Sequence, residues 1–167
     1  MSGYRKGLAG ACAGLALVLI AAPAAAQTSG RGDASVRVLQ SITVAKSADL
    51  NFGRVLPATS ASTVVVAENG GRTCGANLRC FGATTAAGFT VTGTAGETVS
   101  VTIANPRVTL TNGSAGQTMV VTIATGTTSL VLIGGTGTFR VGGTLNVGAN
   151  QAPGTYSGQF TVSVNYQ

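Results

Sequence analysis

Apolar and polar residues alternate along most of this chain. Apolar side chains fall at even positions at Val36, Val38, Ile42 and Val44, then at Leu50 and Phe52. They fall at odd positions at Phe89, Val91, Val99, Val101 and Ile103, and again at Met119, Val121 and Ile123. A period of two is that of a strand with one buried and one wet face. Turn-forming clusters separate the runs: ENGGR at 68–72, GTAGE at 93–97, ANP at 104–106, TNGSAGQ at 111–117 and GANQAPG at 148–154. The last stretch, GTYSGQFTVSVNYQ at 154–167, reads as one unbroken strand. Tyr156, Gly158, Phe160, Val162, Val164 and Tyr166 share one face, and Ser157, Gln159, Thr161, Ser163 and Asn165 the other. Roughly eight to ten strands at this spacing predict an antiparallel β-sandwich of immunoglobulin type.

Composition supports the strand reading. The chain is rich in Gly, Thr, Val, Ala and Ser and carries only 8% charged residues, which suits pleated, half-buried strands better than helices or disorder. The stretch GGTGTFRVGGTLNVG looks repetitive, but no fixed period runs along the chain, so a β-solenoid is not expected.

The N-terminus reads differently. Arg5 and Lys6 precede an apolar run from Leu8 to Ala22, followed by the small residues APAAAQ. This is the pattern of a secretory signal peptide cut after Ala26, and the run is short for a bilayer span. The expected organisation is a leader over 1–26, a flexible mature N-terminus over 27–34 and one β-sandwich domain over 35–167. Cys12 leaves with the leader. The full chain has 10 Lys and Arg against 4 Asp and Glu, a formal charge of +6, and the leader removes two of the cations. The remaining basic residues are scattered singly and not interleaved with aromatics, which argues against nucleic acid as a partner.

Exported cysteine pairs usually oxidise, and the five residues GANLR between Cys74 and Cys80 let a small loop close. Such a ring stabilises by about 2 kcal/mol. With no histidine and two thiols, a four-ligand zinc site cannot be assembled from the usual ligands. The same shortage excludes a Ser–His nucleophile. A Ser–Lys pair would have to use Lys46, which sits in AKSADL with no nucleophile-elbow pattern. Asp33, Asp49, Glu68 and Glu97 lie in or beside turns, where solvated charge is the plainer reading than paired catalytic carboxylates. The glycine-rich segments lack the lysine and helix of a phosphate loop. No catalytic, cofactor or metal site is expected. RGD at 31–33 and NGS at 112–114 match an integrin tripeptide and a glycosylation acceptor, but each is read more simply as mobile terminus and as turn.

Gly154 stands fourteen residues from the C-terminus, counted inclusively, and Tyr166 is penultimate. That pairing resembles the C-terminal signature of chaperone–usher pilins. The stretches ITVAKSADLNFGRVLP (42–57), AGFTVTG (87–93) and VGGTLNVGANQAPGTYSGQFTVSVNY (141–166) resemble the secreted bacterial family called domain of unknown function 4402, grouped with pilin and adhesin sandwiches. The resemblance implies an exported subunit, in the periplasm, at the cell surface or in a fimbrium. Its incomplete sandwich would be completed by a strand from a like subunit and handled before that by a periplasmic chaperone. Gly154, Tyr156, Phe160, Val162, Val164 and Tyr166 would form the assembly strand. Two departures stand out: Cys74 and Cys80 close a mid-chain loop, whereas pilins often tie early strands, and only QTSGRGDA precedes the first alternating run. That run, Ser35 to Val44, either donates to a neighbour through Val36, Val38, Ile42 and Val44 or forms the domain's own first strand. The alternative function is a self-contained module that binds a small ligand or glycan.

Overall fold

The computed structural model describes residues 28–113 and 116–167. The expected leader over 1–26 lies outside the described residues, as does Ser114 of the NGS triplet. The chain divides between Val36 and Arg37. In the first part, residues 28–36 are exposed and form no regular secondary structure.

Residues Arg37–Gln167 hold twelve strands: β1 (Thr43–Ala48), β2 (Arg54–Leu56), β3 (Ser62–Val66), β4 (Arg72–Cys74), β5 (Arg79–Phe81), β6 (Ala87–Thr92), β7 (Thr98–Ile103), β8 (Arg107–Thr111), β9 (Thr118–Ala124), β10 (Ser129–Val131), β11 (Thr136–Val147) and β12 (Val162–Tyr166). This exceeds the expected eight to ten; four of the twelve, β2, β4, β5 and β10, are three residues long and too short to show alternation. The described residues of the five turn clusters fall in the connections between strands, except Arg72, which opens β4, and Thr111, which closes β8.

The spine is β11. Its first half pairs with β6, and its second half lies between β3 on one side and β9 on the other. With β1 outside β6, β4 outside β3 and β8 outside β9, this makes a seven-stranded sheet. The repetitive GGTGTFRVGGTLNVG is therefore mostly one strand, and every strand pairing is antiparallel, not the stacked coil of a solenoid. Strict alternation lets one strand serve both halves: Phe139, Val141, Leu145 and Val147 all face inward. A three-stranded sheet, β10-β7-β12, forms the second layer, and β2 and β5 form a separate two-stranded ribbon. This is an all-β, sandwich-like fold.

The two layers share one apolar interior. Phe89, Val91, Phe139 and Val141 of the large sheet join Val99 and Val101 of β7, with Val162, Val164 and Tyr166 of β12 packed against them. Phe89 stacks on Phe139, ring centroids 5.2 Å apart, and meets the edge of Phe160 at 6.1 Å. No polar or charged residue is fully buried among the described residues, so hydrophobic burial carries this interface.

Two expected strands are shorter than their alternation. In the run Ser35 to Val44 the strand begins only at Thr43, pairing with Thr92 of β6. Val36 and Val38 lie outside any strand at 89% and 86% exposure. At the C-terminus, residues 154–161 form no strand beyond one bridge at Ser157, and β12 covers only Val162–Tyr166. The alternation of half-buried and exposed residues does hold from Phe160 to Gln167.

Because Phe139 anchors the ring cluster at 3% exposure, Phe139→Ala is expected to cost about 3–5 kcal/mol. The check is a lower urea midpoint with an unchanged m-value in equilibrium unfolding.

Candidate functional site

The inward face of the large sheet is wider than the second layer. Over β8, β9 and the second half of β11, the residues Val108, Leu110, Met119, Val121, Leu145 and Val147 floor an open apolar cavity of about 940 Å³. Residues 49–57, including β2, border it on one side, and residues 151–158 and Phe160 on the other. Protein interiors contain few voids larger than a water molecule. This open groove is the candidate site.

Several polar side chains along its border are committed to the protein's own chain. Gln151 donates to the Tyr156 hydroxyl at 2.9 Å and to the Thr118 carbonyl at 3.3 Å, and that hydroxyl donates to the Ala152 carbonyl at 2.9 Å. Asn51 accepts the Gly53 N–H at 2.8 Å, and Asp49 pairs with Lys46 at 2.6 Å. These groups hold the rim in shape. They offer little to orient a small polar ligand, which depends on a few convergent donors and acceptors.

The C-terminal segment fences one side of the groove and then joins the second layer. Ser157 exchanges two backbone hydrogen bonds with Thr111 on the outer edge of β8, each 2.9 Å. At Gly158 a Cβ would lie 2.8 Å from the Thr109 carbonyl oxygen and from Leu110 Cδ2, so the close approach requires glycine. The chain then crosses to β12. There the Ala104 N–H donates to the Thr161 carbonyl and the Gln167 N–H to the Thr98 carbonyl, so odd-numbered residues face β7. Backbone direction alternates in an antiparallel pair. The N–H and C=O groups of Val162, Val164 and Tyr166 therefore point away from β7, to an edge that no described strand covers.

Of the six residues expected in an assembly strand, Gly154, Tyr156 and Phe160 line the groove, and Val162, Val164 and Tyr166 form the edge strand that follows. The expected donor residues separate. Val44 lies in β1, Ile42 packs on the core, and Val36 and Val38 are outside any strand. Residues 37–42 are held by polar contacts. Arg37 pairs with Glu97 at 2.5 Å, and the Gln40 N–H donates to Thr94 Oγ1 at 2.7 Å. The Tyr166 hydroxyl donates to the Gln40 carbonyl at 2.7 Å and accepts the Thr94 N–H at 2.8 Å.

The acidic residues fall in separate places. Asp49 pairs with Lys46, Glu97 with Arg37, and Glu68 accepts the Gly126 N–H. No group of three metal-binding side chains occurs among the described residues. Cys74 and Cys80 form a disulfide, which fits an oxidising, exported compartment.

A family model described as a domain of unknown function (DUF4402) matches residues 42–166. The chain belongs to that family. No curated protein and no solved structure matches it. The matched span starts at Ile42, next to β1, and takes in every strand, the whole groove and β12. Sequence reasoning singled out the C-terminal segment, part of which borders this groove, but missed residues 49–57 and the β8–β9 floor. The signal was present: Val108, Leu110, Met119 and Val121 alternate without showing which element covers them.

Two substitutions separate the roles of the C-terminal segment. Gly158→Val is expected to destabilise by about 1–3 kcal/mol, because its side chain must displace backbone. Tyr166→Phe is expected to cost about 1 kcal/mol by losing the hydroxyl's two hydrogen bonds. Thermal unfolding of both variants checks the order.

Proposed function

We propose that this protein is an exported, non-enzymatic structural subunit, pilin-like or adhesin-like, that assembles with like subunits by β-strand complementation. The reading is supported by an open apolar groove bordered by residues 151–158 and Phe160, and by the edge strand β12 that follows them in the chain, whose outer side no described strand covers. An extended segment laid along β12 would gain backbone hydrogen bonds from Val162, Val164 and Tyr166 while its alternate side chains entered the groove. Left open, that combination of edge and apolar surface invites uncontrolled pairing. This is the physical need that a periplasmic chaperone would meet before assembly.

The donor in this reading is the N-terminal arm of a neighbouring subunit. Val36 and Val38 carry the alternating apolar pattern a groove accepts and are nearly fully exposed. Ile42 and Val44 remain with their own domain, so donation centres on residues 35–39. The rival, a self-contained module that binds a small ligand or glycan, is less favoured because Gln151, Tyr156 and Asn51 on the rim already bond within the chain.

Native surface extracts run on a denaturing gel, unheated and heated, test the proposal. A ladder of multimers that collapses to monomer on heating is expected, and monomer under both conditions would sink it. Deleting residues 28–39 leaves Gln40 and its contacts in place and removes one exposed ion pair, worth about 0.2–1 kcal/mol. That variant is expected to keep a near-wild-type thermal midpoint and to lose the ladder. A large loss of monomer stability instead would show that the arm belongs to its own fold.

A further inference from the structure

The ribbon of β2 and β5 carries a feature that strand exchange does not use. Its register sets Arg54 opposite Phe81 and Leu56 opposite Arg79, with Val55 opposite Cys80. Directly opposed residues share a face, so Arg54, Leu56, Arg79 and Phe81 lie together on one side and Val55 and Cys80 on the other. The second side packs on the core. The first is open, with Leu56 at 55% and Phe81 at 49% exposure. Arg72 reaches the same end of the ribbon, donating from Nη1 to the Phe81 carbonyl at 3.0 Å and the Gly82 carbonyl at 3.1 Å.

Three guanidinium groups thus gather around two exposed apolar side chains with no carboxylate to neutralise them. The ion pairs among the described residues are Arg37–Glu97 and Lys46–Asp49, neither of which involves this patch. The disulfide from Cys74 to Cys80 ties β5 to β4, so the patch stands on a cross-linked base.

We infer that this face binds an acidic polysaccharide. Guanidinium groups grip carboxylates through paired, charge-assisted hydrogen bonds. An exposed ring and a leucine between them give the apolar face of a sugar ring something to cover, and a chain of uronic-acid residues presents both surfaces at once. A peptide that added as a strand would need a sheet edge, whereas this patch is a sheet face. A nucleic-acid strand would call for several stacking aromatics, and the patch has one. The patch shares Arg54 and Leu56 with the border of the groove, whereas Arg79 and Phe81 lie outside it, so loss of polygalacturonate binding with the multimer ladder intact separates this inference from strand donation.

Polygalacturonate is the probe and neutral dextran the control, with the protein purified from cells expressing the full chain. Binding to polygalacturonate that weakens as salt rises is expected, with none to dextran. Replacing Arg54 and Arg79 together by Gln should weaken it about tenfold, equivalent to about 1.4 kcal/mol. Phe81→Ala should also weaken it, and replacing Arg107 and Arg140 by Gln should not, although it removes the same charge. If the Arg54 and Arg79 variant unfolds, Arg54→Lys with Arg79→Lys keeps the charge, loses the fork geometry and should still bind more weakly. Equal loss in the Arg107 and Arg140 variant would reduce the effect to net charge and overturn the proposal. So would absence of binding to polygalacturonate, or tighter binding to phosphatidylglycerol vesicles than to polygalacturonate.

Discussion

The two layers of this fold are unequal, and most of its features answer to that inequality. Seven strands present one continuous apolar face because β11 keeps its alternation through all twelve residues and so serves β6, β3 and β9 together. Three strands lie opposite. They cover Phe89, Val91 and Phe139, where rings and valines interdigitate, whereas Val108, Val121 and Leu145, though buried, line the open groove. Hydrophobic burial rewards coverage in proportion to area. The same force packs one half of the sandwich tightly and leaves an open groove beside the other.

The C-terminal segment mediates between those halves. It touches the large sheet at Ser157 and enters the small one at Val162, and Gly158 permits the approach to β8 that this crossing needs. Tyr166 then fixes the end of the crossing. Its ring joins the core and its hydroxyl binds Gln40 and Thr94. One penultimate residue thereby seats β12 and holds the start of the domain beside it. Residues 37–42 are kept by hydrogen bonds and an ion pair, while Val38 gains little burial.

Much of the architecture was legible because alternation reports which face of a strand is buried. It placed Phe89, Val91, Val99, Val101, Val121 and Ile123 in the interior, and the turn clusters marked the connections between strands. What it does not report is a neighbour. Val36 and Val38 alternate as well as any core strand yet lie outside the sheets, and residues 154–161 alternate without a ladder. The same gap hid the groove. Val108 and Leu110 have the sequence pattern of covered residues whether a strand lies above them or not, because the inward face of a sheet is written identically in a complete and an incomplete sandwich. The three-residue strands escaped for a simpler reason: a period of two needs more than three positions to be seen.

The disulfide shows how far position can outweigh energy. A ring closed over so few residues removes little entropy from the unfolded chain, and on that ground alone it is a minor staple. Its place gives it more consequence. It joins β4, an edge strand of the large sheet, to β5, whose only strand partner is β2. The ribbon makes no ladder with either sheet, so its attachment rests on Val55 and Cys80 packing on the core, on Arg72 gripping the Phe81 and Gly82 carbonyls, and on this cross-link. That ribbon borders the groove through Arg54, Val55 and Leu56 and presents its charged face through Arg54 and Arg79. Loosening it would disturb the rim of the groove and the exposed patch together while leaving the phenylalanine cluster intact. The ring of seven residues, Cys74 to Cys80, helps hold that wall in place, a role that its modest contribution to global stability would not reveal.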